Sequence, residues 1–146
     1  MLKSKALLPS DGSHTAAKAA AYAARLMKIN PDMKLDVLVV LPEKEGLVGT
    51  NNQIKDMFET ISGTIGANGK DILENTIRIF ASEGQNVQGY IEKGNPATVI
   101  IDFAGRGNYD HIIMGSRGVS ELRGIAIGSV SHQVIHLANC RVTLVK

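Results

Sequence analysis

The residues with the most chemical potential lie in Gly115-Ser116-Arg117-Gly118, followed after nine residues by Gly128-Ser129. Glycine lets backbone amides approach a ligand closely and takes positive φ without steric cost. The apolar run Ile112-Ile113-Met114 precedes this cluster, and a helical pattern through Val130, Val134, Ile135 and Leu137 follows it. A helix beginning at Ser129 offers unpaired amides and the positive end of its dipole, which suits phosphate. The Ser129 hydroxyl can cap that helix or donate to a phosphate oxygen. Arg117 and Arg123 add positive charge against one acid, Glu121. On spacing alone two readings are open: a phosphate-binding turn, or an ordinary connection with a capping serine.

Other chemistries fit less well. A Walker loop fails because Gly69-Lys70 is followed by Asp71 and position 64 is threonine. A dinucleotide fingerprint fails because the first apolar run ends in Pro9-Ser10-Asp11-Gly12-Ser13, without GxGxxG. His132 and His136 share a helix face, but the residue between them that a zinc protease needs as glutamate is Gln133. They read as a solvent-facing or boundary pair. His14 and His111 have no partners at ligand spacing, and no GxSxG elbow is present. Cys140 reads as a structural thiol, and Lys3 and Lys5 as solvated charge beside the first strand.

The elements that must position the glycine cluster are legible in the apolar pattern. Strands are expected at Lys5–Pro9, Leu35–Leu41, Val87–Ile91, Ile112–Met114 and Arg141–Val145. The unbroken run Val37-Leu38-Val39-Val40-Leu41 suits a strand covered on both faces. Helices are expected over Ala16–Ile29, Ile72–Ala81, Ala97–Ala104 and Ser129–Ala138. Asn95-Pro96 is a strong helix start, with Asn95 as cap and Pro96 in the first turn. Between residues 43 and 69 the signal is weak. Glycines at 63, 66 and 69 suggest a kinked stretch or a flap over a site. A short helical turn also fits within the Gly115–Gly128 loop. The strand–helix alternation implies a parallel sheet with crossover helices on both faces. Such sheets bind ligands beyond the carboxyl ends of their strands.

Composition narrows the function classes. A chain of 146 residues suits one domain, here taken as 1–146. Hydrophobic content of 44% and charged content of 21% argue against disorder. Aromatic content of 4% predicts an aliphatic core and argues against a base-stacking nucleic-acid platform. A net charge of +2 is too balanced for wrapping a polyphosphate. No apolar run reaches the ~18 residues that span a membrane, and the amino-terminal run is too short for a signal-peptide core. The single cysteine has no partner in the chain for a disulfide. The expected compartment is the cytoplasm.

Gly-x2-Gly-x9-Gly-Ser is also the nucleotide-binding signature of the universal stress protein family, which this chain resembles over essentially its whole length. The Pro9-Ser10-Asp11-Gly12-Ser13 turn and the ending Gly128-Ser129-Val130-Ser131 carry the resemblance too. Two positions depart from the family pattern: Arg141 stands where proline is usual, and Val39 where histidine is frequent. The resemblance implies a doubly wound, open five-stranded parallel sheet in the order 3-2-1-4-5. It implies that Pro9, Ser10 and Asp11 contact adenine and ribose, with Asp11 as polar anchor. Val40 matches an adenine wall. Met114, Gly115, Arg117 and Gly118 match a segment lining ribose and phosphates, and Gly128, Ser129 and Val130 match the phosphate-cradling turn. The implied ligand is ATP or another adenine nucleotide, with Mg2+ carried on the phosphates rather than by a protein ligand set. The implied assembly is a homodimer through Arg141–Val145. The reading is a stress-response or signalling binding module with little turnover. Two alternatives stay open: a slow Mg-dependent ATPase with Asp11 on the metal, and a nucleotide-free dimeric interaction protein.

Overall fold

The computed structural model describes residues 4–43, 69–118 and 127–146. The weak stretch of 43–69, the centre of the glycine loop, Lys3, Arg123 and Glu121 lie wholly or almost wholly outside them. The elements in chain order are β1 (Lys5–Pro9), α1 (His14–Ile29), β2 (Lys34–Leu41), α2 (residues 69–81) and β3 (Gln88–Lys93). They continue with α3 (Pro96–Arg106), β4 (His111–Gly115), α4 (Ser129–Leu137) and β5 (Arg141–Val145). All five strands and four helices read from the apolar pattern are present, with no end displaced by more than three residues.

The five strands form one parallel sheet in the order β3-β2-β1-β4-β5. Side chains alternate across it. Ala6 and Leu8 of β1 pack with α1 and with Phe80 of α2, whereas Leu7 packs with α3 and α4. Val37 and Leu38 divide between the same two layers, which is why β2 reads as continuous apolar sequence. Helix α1 lies close to the sheet because its buried stripe is nearly all alanine: Ala16, Ala19, Ala20, Ala23 and Ala24.

Capping follows the sequence. The Asn95 side chain accepts from the Thr98 amide at 3.1 Å, with Pro96 in the first turn of α3. Ser13 caps α1 by accepting from the Ala16 amide at 3.2 Å. Among the described residues, no helix is long and apolar enough to cross a membrane.

Two expectations are corrected. Lys5 is not solvated charge: its Nζ donates to the Gly107 carbonyl at 2.7 Å and lies 4.4 Å from the Tyr109 ring centre. The core is not purely aliphatic, since Phe80 is its largest fully buried side chain. Separately, His111 Nε2 lies 2.7 Å from Thr143 Oγ1 across the β4–β5 pair, a hydrogen bond rather than a metal-ligand pairing. Burial, and then Arg141, hold the His111 pKa below its ordinary value.

Arg141, where proline is usual, forms part of a tie across three strands. Asp110 accepts from Ser4 Oγ and the Lys5 amide, both at 2.8 Å, and from the Arg141 guanidinium at 3.1 Å. Burial pushes the Asp110 pKa up, but these donors outweigh it and hold the carboxyl below its usual range. A carboxylate with a lowered folded pKa contributes stability above its unfolded value, about 3.9, and loses it as pH falls through the folded value. Asp110→Asn is therefore expected to be less stable than wild type at pH 7, by at most about 1 kcal/mol for so exposed a group. The difference is expected to vanish below the folded pKa. Urea denaturation across pH checks both points.

Candidate functional site

Sheet order reverses direction between β1 and β4, and this is where an open α/β sheet leaves a crevice. A cavity of about 290 Å³ opens there, bordered by the carboxyl ends of β1, β2 and β4 and the amino-terminal turns of α1, α3 and α4. That volume is at the small end of the usual ~300–1,000 Å³ for a small-molecule site. Pro9, Ser10, Asp11, Val40, Met114, Gly115, Arg117, Gly118, Gly128, Ser129 and Val130 all line it. Residues from four separate stretches of sequence are thus brought to one place. Ser116 is buried and stands off the cavity wall.

The first loop is built by local hydrogen bonds. The Ser10 amide donates to the Leu38 carbonyl at 2.9 Å, which extends the β1–β2 pairing to the cavity rim. Asp11 Oδ1 accepts from the Ser13 amide at 2.9 Å, a side-chain turn that leads into the α1 cap. Gly12 has φ +79°, and a Cβ there would lie 2.9 Å from Ile72 Cγ1. Helix α2 also reaches this loop through Thr76, whose Oγ1 donates to Ser10 Oγ at 3.2 Å.

The second loop leaves β4 held on several sides. The Ser116 amide donates to the Val145 carbonyl at 2.8 Å, and the Gly128 amide to the Ser116 carbonyl at 2.6 Å. Ser131 Oγ donates to the Gly115 carbonyl at 2.9 Å. These bonds bring the start of α4 beside the end of β4. Gly128 is the N-cap of α4 and supplies no side-chain cap.

The cavity divides chemically. Leu38, Val40, Ile100 and Met114 give it aliphatic walls, and no described lining residue is aromatic. Arg117 is the cation of the described lining and Asp11 its acid. Among the described residues, no group of three or more His, Cys, Asp or Glu could hold a metal ion. An apolar slot beside a helix start and one guanidinium fits a flat heterocycle carrying an anionic tail.

Sequence reasoning missed Ser13, Ala16, Leu38, Pro42, Pro96, Ile100 and Ser131 as lining residues. Position offered a signal for some of them. Ser13 and Pro96 sit at helix starts directly after strands, where the doubly wound fold places its ligands. Leu38 and Ile100 look like ordinary core in the sequence.

The comparisons with known proteins agree with this architecture. The sequence profile described as "Universal stress protein family" matches residues 4–146. Universal stress protein YxiE of Bacillus subtilis is 30% identical, over 97% of this chain and 98% of its own. The solved structure of MJ0577, a universal stress protein of Methanocaldococcus jannaschii, is 27% identical with a TM-score of 0.79, covering 100% of this chain and 97% of that one. The universal stress protein from Archaeoglobus fulgidus in complex with dAMP is 23% identical with a TM-score of 0.61, covering 100% of both chains. Two more distant solved universal stress proteins, each 19% identical, are described with AMP and with cAMP. At such identities the likeness shows the fold alone. With a family profile spanning nearly its full length and a full-length relative at 30% identity, the chain belongs to the universal stress protein family.

Proposed function

We propose that this protein binds an adenine nucleotide at the carboxyl end of its sheet, as a stress-response or signalling module with little turnover. The observation that carries this reading is the convergence of all eleven motif-matched residues on one cavity. In this reading adenine lies between Val40 and Met114, and Pro9, Ser10 and Asp11 meet its edge and the ribose. The phosphates lie against Gly115, Arg117, Gly118, Gly128 and Ser129, with Val130 closing the turn. In this reading ATP brings Mg2+ on its own phosphates. The dAMP, AMP and cAMP held by other family members support the ligand class.

The same proposal includes a homodimer through β5. Among the described residues this strand pairs only with β4, so its other edge presents backbone groups that no described strand pairs. The cytoplasm is the proposed setting.

A ligand that binds only the folded state stabilises it by about 2.7 kcal/mol at a hundredfold excess over Kd. ATP is expected to produce this rise in thermal unfolding. No rise with millimolar ATP, ADP, AMP or cyclic AMP would contradict the proposal.

A further inference from the structure

The Arg117–Gly118 peptide is held from behind by a residue outside the glycine motif. Thr15 Oγ1 donates to the Arg117 carbonyl at 2.7 Å, and Ser13 Oγ donates to it at a longer 3.3 Å. Ser13 Oγ is also engaged as the acceptor that caps α1. Thr15 is only 5% exposed and is not part of the cavity lining. Its side chain also faces Gly115, where a Cβ would lie 2.4 Å from Thr15 Oγ1. One buried hydroxyl therefore sits against the end of β4 and grips the peptide just beyond it.

The orientation of that peptide matters for an anion. A trans peptide is planar, and its carbonyl and amide point in opposite directions. No described peptide bond is cis. With the Arg117 carbonyl turned to α1, the Gly118 amide faces away from α1. Gly118 lines the cavity, and among the described residues none accepts from its amide. A peptide followed by glycine flips at little steric cost, because glycine accepts either sign of φ. The flipped form would turn a carbonyl oxygen where the amide had been and repel phosphate.

We propose that Thr15 is a positioning residue for the phosphate subsite. Its hydroxyl holds the Arg117 carbonyl on α1 and so aims the Gly118 amide at a phosphate oxygen of the bound nucleotide. The inference rests on the adenine-nucleotide reading and adds what selects the charged tail. It predicts that Thr15 governs how much the phosphates add to affinity, and leaves binding of the nucleoside alone.

Calorimetric titration of the whole protein with ATP and with adenosine tests it, in wild type, Thr15→Val, Thr15→Ala and Thr15→Ser. Valine keeps the shape without the donor, alanine removes the donor without adding bulk, and serine keeps the donor. Loss of one charge-assisted bond is expected to lower ATP affinity about tenfold in the valine and alanine variants. Adenosine affinity is expected to stay unchanged, and serine to restore the wild-type ratio. A wild-type ATP-to-adenosine ratio in both donor-lacking variants overturns the proposal, whether neither affinity falls or both fall equally. If wild type binds neither compound, the nucleotide reading itself fails and this proposal falls with it.

Discussion

Gly115→Val is expected to cost the fold about 3 kcal/mol or more in chemical denaturation, the upper end for overpacking a close-packed interior. A Cβ at this position would stand 2.4 Å from Thr15 Oγ1 and 2.8 Å from both Ala16 N and Thr15 C. Two of those three atoms are helix backbone, which has no rotamer to turn away. Relief would require α1 to lift, but α1 is seated by the alanine stripe against the sheet. Gly105 provides the contrast. It lies within α3, nothing stands within 4 Å of its Cβ position, and its φ is not positive. Gly105→Ala is expected to stabilise, by up to about 1 kcal/mol from helix propensity. Stability of Gly115→Val within about 0.5 kcal/mol of wild type would contradict the packing role, since that is the ordinary range for an uninvolved surface site.

Phe80→Ala is expected to destabilise by about 4 kcal/mol, typical for emptying a buried aromatic site. Phe80 is 0% exposed and packs in the layer that contains Ala19, Ala20, Ala23, Ala24, Met33 and Leu35. Alanines have no rotamers with which to fill the space, so the void stays largely open and its full cost is felt. Phe80→Leu refills most of the volume and is expected to lose clearly less. Urea denaturation midpoints of the two variants check the order. Equal losses would mean that the layer around Phe80 relaxes freely.

Much of the architecture was legible because the punctuation is strong. Pro9, Pro42, Gly94-Asn95-Pro96 and Gly115 each end a strand or start a helix where the apolar pattern changes period. Val37–Leu41 could be read as a covered strand because both of its faces meet a helical layer. The motif residues could be brought together in advance because each lies at a strand end or a helix start, and topology sends those to one edge of the sheet.

What escaped depends on pairings distant in sequence. Leu38 and Ile100 look like any core aliphatic until the β1–β4 reversal opens a gap above them. Lys5 gives no sign of Tyr109, nor Arg141 of Asp110, because those partners lie far along the chain and meet only when β4 joins the sheet. Gly115 is the most instructive case. Its place in the motif suggests a glycine kept open for a ligand. The geometry adds a second requirement, since the same missing Cβ lets β4 lie against the backbone of α1. Thr15, one residue inside a helix start, carries no sequence mark of its grip on the Arg117 carbonyl.

The proposed ligand, an adenine nucleotide, would occupy the cavity at the β1–β4 switch point. Titration of isotope-labelled protein with AMP, followed by amide and methyl NMR, tests this most directly. Saturable shifts are expected at the Val40 and Met114 methyls and at the Gly115, Gly118 and Ser129 amides, with Tyr90 and Ile91 on the far edge strand unmoved. No shifts at millimolar AMP, or shifts confined to other surfaces, would contradict the proposal.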